Sequence, residues 1–333
     1  MSVRRYCVVG AVLASLAPNA AALPAQSATQ NAEKSATTLA PGSHTFRVQF
    51  DNKNREYIIH VPAGASTALP LLLAFHGGGG EAAGFQKYAG LDAVSDREKF
   101  LVVYPYGTGV FPRRLLTWNA GECCSYAMKN NVDDVGFAMA VIDDVIRRTR
   151  VDTKRIYATG HSNGAMMSYR LAAERAERIA AIVPVSGAYN LEKFAPSQPV
   201  AVLDLHSVDD PRAVYSGGMG PAFPGTQERS SHRPVMTGIH RWTANNRCKS
   251  DSTVTETRTG KAGTGNADQT ATLLVWKGCP AGGEVAHWKL TGVGHGWPGD
   301  QGATKRERII GPQTTLVLAA EEVWKFVSKV KRP

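Results

Sequence analysis

The sequence is short of the features that metal, nucleotide and membrane proteins need. It has five cysteines in 333 residues, and no two show the C-x-x-C spacing of a zinc site, so no metal is expected. No Gly-Lys-Ser/Thr follows its glycine-rich turns, which argues against phosphate binding. The apolar run at residues 6–16 is too short to cross a bilayer. Without these features, the sequence is expected to belong to a globular protein or enzyme that uses no metal.

Charge is unbalanced but not concentrated. Lysine and arginine number 38 against 28 acidic residues, which gives a formal net charge of +10. The basic residues are scattered, and no basic stripe interleaved with aromatic residues is present, so a nucleic-acid partner is not expected. Solubility is the simpler explanation of the charge, although a basic surface would also suit anionic polymers.

The first residues have the pattern of an export signal. Arg4 and Arg5 precede the apolar run, and Ala20-Ala21-Ala22 offers a cleavage site of small residues. We therefore predict a signal peptide over 1–22, a flexible Ala/Ser/Thr/Gln-rich segment over 23–42 and one domain over 43–333. The mature protein is expected outside the cytoplasm, secreted or periplasmic, with no membrane attachment.

The most informative segment is Gly160-His161-Ser162-Asn163-Gly164, a G-x-S-x-G pattern. A β-branched and aromatic run precedes it at 155–159, and a run of helix-forming residues follows it at 165–174. Strand, tight turn and helix are the setting of a nucleophile elbow, in which the serine hydroxyl is exposed and the next N–H faces a developing oxyanion. A chance Gly/Ser turn is the competing interpretation, and the flanking segments disfavour it.

A second glycine segment fits the same chemistry. The apolar strand 71–75 runs into His76 and four glycines. A backbone without side chains can approach a substrate carbonyl closely, so Gly77 and Gly78 are predicted to complete an oxyanion hole with Asn163. A flexible glycine turn is the alternative.

The remaining catalytic groups should follow in the chain order Ser, Asp/Glu, His. His295 lies among glycines near the C-terminus and is the candidate base. Asp209 and Asp210 both follow the predicted buried strand 200–206, where catalytic groups of open α/β sheets gather. The pattern alone does not choose between these two aspartates, and Asp204 lies inside the strand.

The chain resembles the secreted esterases grouped with polyhydroxybutyrate depolymerases and feruloyl esterases. The matching segments are 76–80, 104–107, 118–124, 132–137, 152–164, 210–211 with 215–218, and 294–299. The resemblance implies an α/β-hydrolase fold, α/β in class, with a mostly parallel central sheet flanked by helices and a single catalytic domain. It also implies the triad Ser162, Asp210 and His295, with no cofactor.

Four further residues are candidate substrate contacts: His76, His161, Trp118 and Trp297. Trp297 lies in a Gly/Pro loop two residues after His295, which favours a pocket position. For Trp118, burial in the core is an equally good interpretation. Asp133 and Asp134 begin a predicted helix and are expected to stabilise its N-terminus rather than to act in catalysis.

Four cysteines remain after the predicted signal peptide, an even count that favours disulfides in an exported chain. Cys248 and Cys279 flank a predicted hairpin and are expected to pair. Cys123 and Cys124 are then left to each other, although adjacent cysteines do not match the usual Cα spacing.

Alternating strands and helices predict a mostly parallel sheet with an antiparallel hairpin at its edge. The predicted strands are 44–50, 55–61, 69–75, 100–104, 155–159, 180–185, 200–206, 271–276 and 285–290. The predicted helices are 134–149, 163–176, 234–246 and 314–329. The loop 216–234 follows the candidate acid. Two interpretations of this loop remain: it lines or covers the site, or it is an ordinary solvated loop.

The sequence thus predicts a serine esterase acting on feruloyl, acetyl or polyhydroxyalkanoate esters, with plant cell-wall polysaccharide or polyester as partner material. The alternatives are a polyhydroxybutyrate depolymerase, a non-catalytic binder of polysaccharide or polyester, and a cytosolic acyltransferase or thioesterase. The chain stops at Pro333 without a linker and polymer-binding domain, which favours small esters.

Overall fold

The computed structural model describes residues 39–64, 67–223, 226–300 and 307–333. The predicted signal peptide and most of the predicted flexible segment therefore lie outside the described residues. The strands are β1 (Gly42–Phe50), β2 (Lys53–Val61), β3 (Leu69–Phe75), β4 (Leu101–Pro105), β5 (Val151–His161), β6 (Ala181–Val185), β7 (Ala201–Ser207), β8 (Gly218–Met219), β9 (Ser231–His232), β10 (Ser252–Thr259), β11 (Thr270–Trp276) and β12 (Val285–Thr291). The helices are α1 (Ala82–Ala89), α2 (Leu91–Glu98), α3 (Ser125–Lys129), α4 (Asp134–Arg148), α5 (Asn163–Glu174), α6 (Val235–Asn245), α7 (Glu307–Ile310) and α8 (Ala319–Val327).

Within the described residues, ten strands form one sheet in the order β1-β2-β4-β3-β5-β6-β7-β12-β11-β10. The six strands from β4 to β12 in this order are parallel to one another. Every residue of β3, β4, β6 and β7 is buried, as expected of strands covered by helices on both faces. The prediction of an α/β-hydrolase fold with a mostly parallel sheet is confirmed.

Antiparallel strands close both ends of the sheet. β1 pairs with β2 as the predicted hairpin, and β11 pairs with both β10 and β12. β1 alternates between exposed and half-buried residues, the pattern of a strand with one face in water. Four helices in the described residues were not predicted: α1, α2, α3 and α7. Of these, α1 and α2 are eight residues each and are joined at Gly90, whose φ of 70° suits glycine.

The helices form a layer on each face of the sheet. One core contains residues of α4, α5 and α6, represented by Ile142, Leu171 and Trp242. The other contains residues of α1, α2 and α8, represented by Phe85 and Val323. Of the described residues, no helix is both long and apolar enough to cross a membrane.

The disulfide Cys248–Cys279 is present, with Cα atoms 4.0 Å apart, and it joins the end of α6 to the segment after β11. Cys123 and Cys124 are paired with each other. Both pairings agree with the predictions from the sequence.

Removing the first bridge should reduce stability without touching the chemistry. Cys248→Ser with Cys279→Ser opens a loop whose ends are 31 residues apart, and the chain-entropy model gives a loss of about 3–4 kcal/mol. We expect Tm to fall by roughly 5–10 °C while kcat of the folded protein is unchanged. Calorimetry and initial rates on one preparation check both parts. A large drop in kcat at a temperature well below Tm would contradict this purely structural role.

Candidate active site

Four of the side chains that the sequence singled out follow the carboxyl ends of four parallel strands. β3 leads into His76, β5 into Ser162, β7 towards Asp210 and β12 towards His295. Groups placed after parallel strands share one edge of the sheet. Residues up to 219 positions apart in the sequence are thereby brought into one cleft.

Ser162 occupies a strained turn between β5 and α5, with φ 56° and ψ −118°. Positive φ is costly for a residue with a Cβ atom and marks a position whose geometry is held by its surroundings. Two glycines make that turn possible. A Cβ atom on Gly160 would lie 2.5 Å from the Gly164 backbone, and one on Gly164 would lie 2.1 Å from the Phe75 carbonyl oxygen. The G-x-S-x-G pattern is therefore a steric requirement of this elbow.

A continuous hydrogen-bonded chain links three side chains. His295 Nε2 lies 2.8 Å from Ser162 Oγ, and His295 Nδ1 lies 2.7 Å from Asp210 Oδ2. Ser162 is partly exposed, whereas His295 and Asp210 are buried at 7% and 5% exposure. The hydroxyl thus faces the cleft while its two supporting groups are shielded from water.

Asp210, and not its neighbour, faces the histidine. Its second oxygen accepts the backbone N–H groups of Arg212 and Ala213 at 2.7 and 2.8 Å. Asp209 instead accepts the Gly292 N–H at 2.7 Å. The structure therefore resolves the choice that the pattern left open, because one residue of register turns the adjacent carboxylate to a different loop.

The Asp210 carboxylate is stabilised in its charged form. Burial alone would raise the pKa of Asp210, but the charge of His295 and hydrogen bonds from His206 and His295 hold it well below its ordinary value. His206 Nε2 lies 3.4 Å from Asp210 Oδ2 and donates to the Ala213 carbonyl at 2.8 Å. The sequence places His206 close to the acid-bearing segment but assigns it no role, because it lies inside β7.

The glycine loop after β3 packs directly on the serine turn. A Cβ atom on Gly77 would lie 3.5 Å from the Ser162 Cβ, and one on Gly78 would lie 3.4 Å from the Asn163 Cβ. The N–H groups of Gly79 and Gly80 donate to the Leu116 and Gly77 carbonyls. The N–H groups of Gly77 and Gly78 are therefore the donors of this loop that remain next to Asn163.

His76 supports this loop and is almost fully buried, at 1% exposure. Its Nδ1 donates to the Gly77 carbonyl at 2.9 Å, and its Nε2 accepts the Gly107 N–H at 3.1 Å. Burial lowers the pKa of His76 to about 4, with Arg55 adding to the effect and the Gly77 hydrogen bond opposing it. His76 lines the cleft but both its nitrogens are used in holding loops.

Trp118 is a core residue, which agrees with burial and not with substrate contact, the two interpretations that the sequence left open. The side chain has 0% exposure, and its indole N–H donates to the His76 carbonyl at 2.9 Å. Its backbone N–H and carbonyl are bonded to the Asn163 side-chain amide at 2.7 and 3.0 Å. Trp118 therefore connects the glycine loop to the serine turn from beneath.

Trp297 is also buried, and the expectation that it lines the pocket is wrong. Its exposure is 2%, its indole N–H donates to the Ala89 carbonyl at 3.0 Å, and its ring contacts Phe85 edge-on at 5.2 Å. Both partners belong to α1, which the sequence analysis did not predict. Phe85 lines the cleft in its place.

His161, by contrast, lines the cleft, so its contact with substrate stays a prediction. Its ring lies 5.1 Å from that of His295, and its Nδ1 is 3.4 Å from the Tyr88 hydroxyl. The cleft has a volume of about 410 Å³. Its walls also include five residues that the sequence did not single out: Tyr88, Arg212, Phe223, Ile309 and Ile310. Phe223 comes from the loop 216–234, whose described part therefore forms a wall of the site.

The two aspartates at the start of α4 have separate functions. Asp133 accepts the Gly136 N–H at 2.7 Å and caps the helix, as predicted. Asp134 is completely buried, pairs with Arg55 at 2.9 Å and accepts the Asn119 N–H. It is a structural anion under the loop that carries Trp118. Nowhere in the described ranges do three or more His, Cys, Asp or Glu side chains group as metal ligands would.

The buried neutral His76 makes stability depend on pH. Its folded pKa of about 4 lies below the ordinary value of 6.5, so the unfolded chain binds more protons between these values. Stability is therefore fully present above pH 6.5 and is lost as pH falls towards 4. We expect this residue to contribute about 3 kcal/mol of that loss, and His76→Gln, which cannot titrate, to flatten it. Urea unfolding at pH 7, 5 and 4 measures the slope. An equally steep loss in the variant would contradict the assignment.

Comparison with known proteins places these features in a family. The model of the esterase PHB depolymerase family matches residues 55–228, about half of the chain. A putative esterase, NocK, of Nocardia uniformis is 31% identical over 50% of this chain and 48% of its own length. The bifunctional acetylxylan esterase/xylanase XynS20E of Neocallimastix patriciarum is 27% identical over 72% of this chain and 31% of its own.

A probable feruloyl esterase C of Aspergillus oryzae is 27% identical over 73% of this chain and 75% of its own. The chain spans about half or less of the length of the first relatives. Among solved structures, the acetyl xylan esterase from Aspergillus awamori aligns with a TM-score of 0.51 at 17% identity, covering 80% of this chain and 98% of that one. That likeness supports the fold, and the family match establishes that the chain belongs to the esterase PHB depolymerase family.

Proposed function

We propose that this chain is a serine esterase that hydrolyses carboxylic esters through an acyl-enzyme. The observation that carries the proposal is the unbroken Ser162–His295–Asp210 hydrogen-bonded chain opening into a cleft beside the glycine loop. Its relatives are esterases by name, and its family is one of esterases. A non-catalytic binder would have no need of this strained and hydrogen-bonded arrangement.

In the proposed reaction, Ser162 Oγ attacks the ester carbonyl while His295 Nε2 accepts its proton. Asp210 holds the imidazole with Nδ1 protonated and stabilises the imidazolium that forms. The N–H groups of Asn163, Gly77 and Gly78 donate to the carbonyl oxygen as it gains negative charge. The intermediate collapses, His295 gives its proton to the leaving alcohol, and water then attacks the acyl-enzyme by the same route.

Export is part of the proposal. The Arg4–Arg5 pair, the apolar run and the small-residue site favour cleavage after about residue 22. The Cys248–Cys279 bridge suits an oxidising compartment. N-terminal sequencing of protein recovered from culture medium or periplasm tests this, and recovery of the intact N-terminus in the cytoplasm would reject it.

A polyester is the second candidate substrate, favoured by one surface feature. An outer groove of about 430 Å³ shares Gly78, Gly79 and Phe223 with the cleft. Its far wall carries Val110, Phe111 and Leu115, which are 71%, 55% and 61% exposed. Exposed apolar side chains grouped next to a catalytic cleft suit contact with a water-insoluble chain.

One panel separates the candidates. Initial rates on a short p-nitrophenyl ester establish esterase activity, and methyl ferulate, acetylated xylan and polyhydroxybutyrate granules rank the classes. An acyl adduct on the peptide containing Ser162, trapped at low pH and found by mass spectrometry, would support the covalent route. Absence of turnover on all of them would favour the binding protein.

A further inference from the structure

A second and much smaller space adjoins Ser162. This recess has a volume of about 40 Å³, against about 410 Å³ for the cleft, and the two share Ser162, Arg212, Phe223 and His295. Since a water molecule needs roughly 10–15 Å³ of such volume, the recess holds on the order of three waters. It has room for a small substituent and none for an aromatic ring with a side arm.

The walls of the recess are held in place by the fold. Cys123 and Cys124, bonded to each other, are 1% and 3% exposed. Met166 stands on the first turn of α5 and is 2% exposed. His232, at 8% exposure, belongs to β9, which pairs with β8.

The backbone on both sides of His232 is tied down as well. Asn190 donates its side-chain amide to the Ser231 carbonyl at 2.6 Å and accepts the Arg233 N–H at 2.9 Å. Walls built from a disulfide, a helix and a braced hairpin do not yield easily, so the size of the recess should limit what enters it.

The reaction geometry decides which arm of the ester meets this recess. At the carbonyl carbon, the oxygen must face Asn163 and the glycine loop, and the leaving oxygen must reach His295 Nε2. An alcohol arm that belongs to a polymer needs a path out to solvent, which the cleft and the outer groove provide. The acyl substituent is the arm that remains for the recess.

The chemistry of the walls fits an uncharged group. Sulfur atoms, a methionine and Phe223 offer apolar contact. Arg212 also lines the recess, but its guanidinium donates to the Ala222 carbonyl and lies 5.9 Å from the centre of the Phe223 ring. Burial, together with the charges of His295 and His206, lowers the pKa of His232 to about 4, so this imidazole is neutral near pH 7.

We propose that the recess is the acyl-binding site and that it restricts hydrolysis to short acyl groups of about two to four carbons, acetyl foremost. The inference rests on the proposed esterase function and narrows its substrate class: acetylated sugars are favoured over feruloyl esters. Met166 and His232 set the limit.

The first test is a chain-length series. We compare kcat/KM for p-nitrophenyl acetate, butyrate and octanoate, each divided by its hydroxide-catalysed rate constant to remove intrinsic reactivity. The normalised value should fall about 100-fold or more from acetate to octanoate, because a surplus of methylenes has no place in a fixed pocket. Methyl ferulate should be comparably poor. Acetates of larger alcohols, such as 4-methylumbelliferyl acetate, should be hydrolysed as well as p-nitrophenyl acetate.

The second test widens the recess. Met166→Ala and His232→Ala should each raise the normalised octanoate/acetate ratio about tenfold or more. Met219→Ala is the matched control: it makes the same change in the β8–β9 hairpin at a side chain that is 60% exposed. The control should leave the ratio as in the wild type.

The outcomes are separable. Hydrolysis of octanoate as efficient as that of acetate by the wild type would overturn the acyl limit while leaving the esterase function standing. Hydrolysis of methyl octanoate with exclusion of bulky-alcohol acetates would overturn the assignment of the arm. Failure on every ester would instead reject the proposed function. If one widened variant does not fold, the other variant and the wild-type series still decide.

Discussion

Ser162→Ala is expected to lower kcat for ester hydrolysis by about 10⁴–10⁶. The hydroxyl 2.8 Å from His295 Nε2 is removed, and no acyl-enzyme can form. The Cβ atom that makes φ 56° costly is retained, so the fold and its strain are unchanged. Rates on p-nitrophenyl acetate, with Tm of the same samples, measure both effects.

Ser95→Ala is the matched control for this substitution. Ser95 is a fully buried serine whose hydroxyl donates to the Phe100 carbonyl in the layer of α2, outside the cleft. Its variant should retain kcat. A Ser162→Ala enzyme with more than a tenth of wild-type kcat would rule out Ser162 as the nucleophile.

Asp210→Asn should lower kcat by about 10⁴, the size of effect known when a triad aspartate becomes an amide. The Arg212 and Ala213 N–H groups can still donate to the amide oxygen, so the loop should persist. The amide NH₂ would then face His295 Nδ1 and force it to accept. His295 Nε2 would carry the proton and could no longer take one from Ser162.

The adjacent Asp209→Asn serves as the control, since that carboxylate contacts the Gly292 N–H and not the histidine. It should change kcat by less than a few-fold. The pH dependence of kcat separates the two effects further: only the Asp210 variant should gain activity towards alkaline pH. A larger loss in the Asp209 variant would show that the register of the acid loop is wrong.

The sequence predicted those site residues whose local pattern is required by backbone geometry. The glycines around Ser162 are sterically required, because a Cβ atom on Gly160 or Gly164 would lie 2.5 Å or less from backbone atoms. In the loop after His76, a Cβ atom on Gly80 would lie 3.0 Å from the Gly77 carbonyl oxygen, and Gly79 has a φ of 80°. The alternation of strands and helices was likewise sufficient for the parallel sheet. The choice of Asp210 as the acid needed the family resemblance, because Asp209 and Asp210 both follow the same predicted strand.

The sequence did not show which side chains are covered by helices that lie far away in the chain. Trp297 looks accessible in a Gly/Pro loop, but α1 lies over it, more than two hundred residues earlier. α1 itself begins beside the glycine run, contains a glycine, and is capped by the side chain of Glu81, so its helical signal is weak. The wall residues Tyr88, Phe223 and His232 have no motif and become visible only in the assembled cleft and recess.

The position of Trp118 has a kinetic consequence. By holding the Asn163 amide with its backbone and the His76 carbonyl with its indole, it locks the two halves of the proposed oxyanion hole to each other in the free protein. The donors then need no reorientation when a substrate arrives. Because the site is preorganised, we expect turnover to begin without a lag. We also expect a tetrahedral phosphonate inhibitor to react at the serine with little accompanying motion of the backbone.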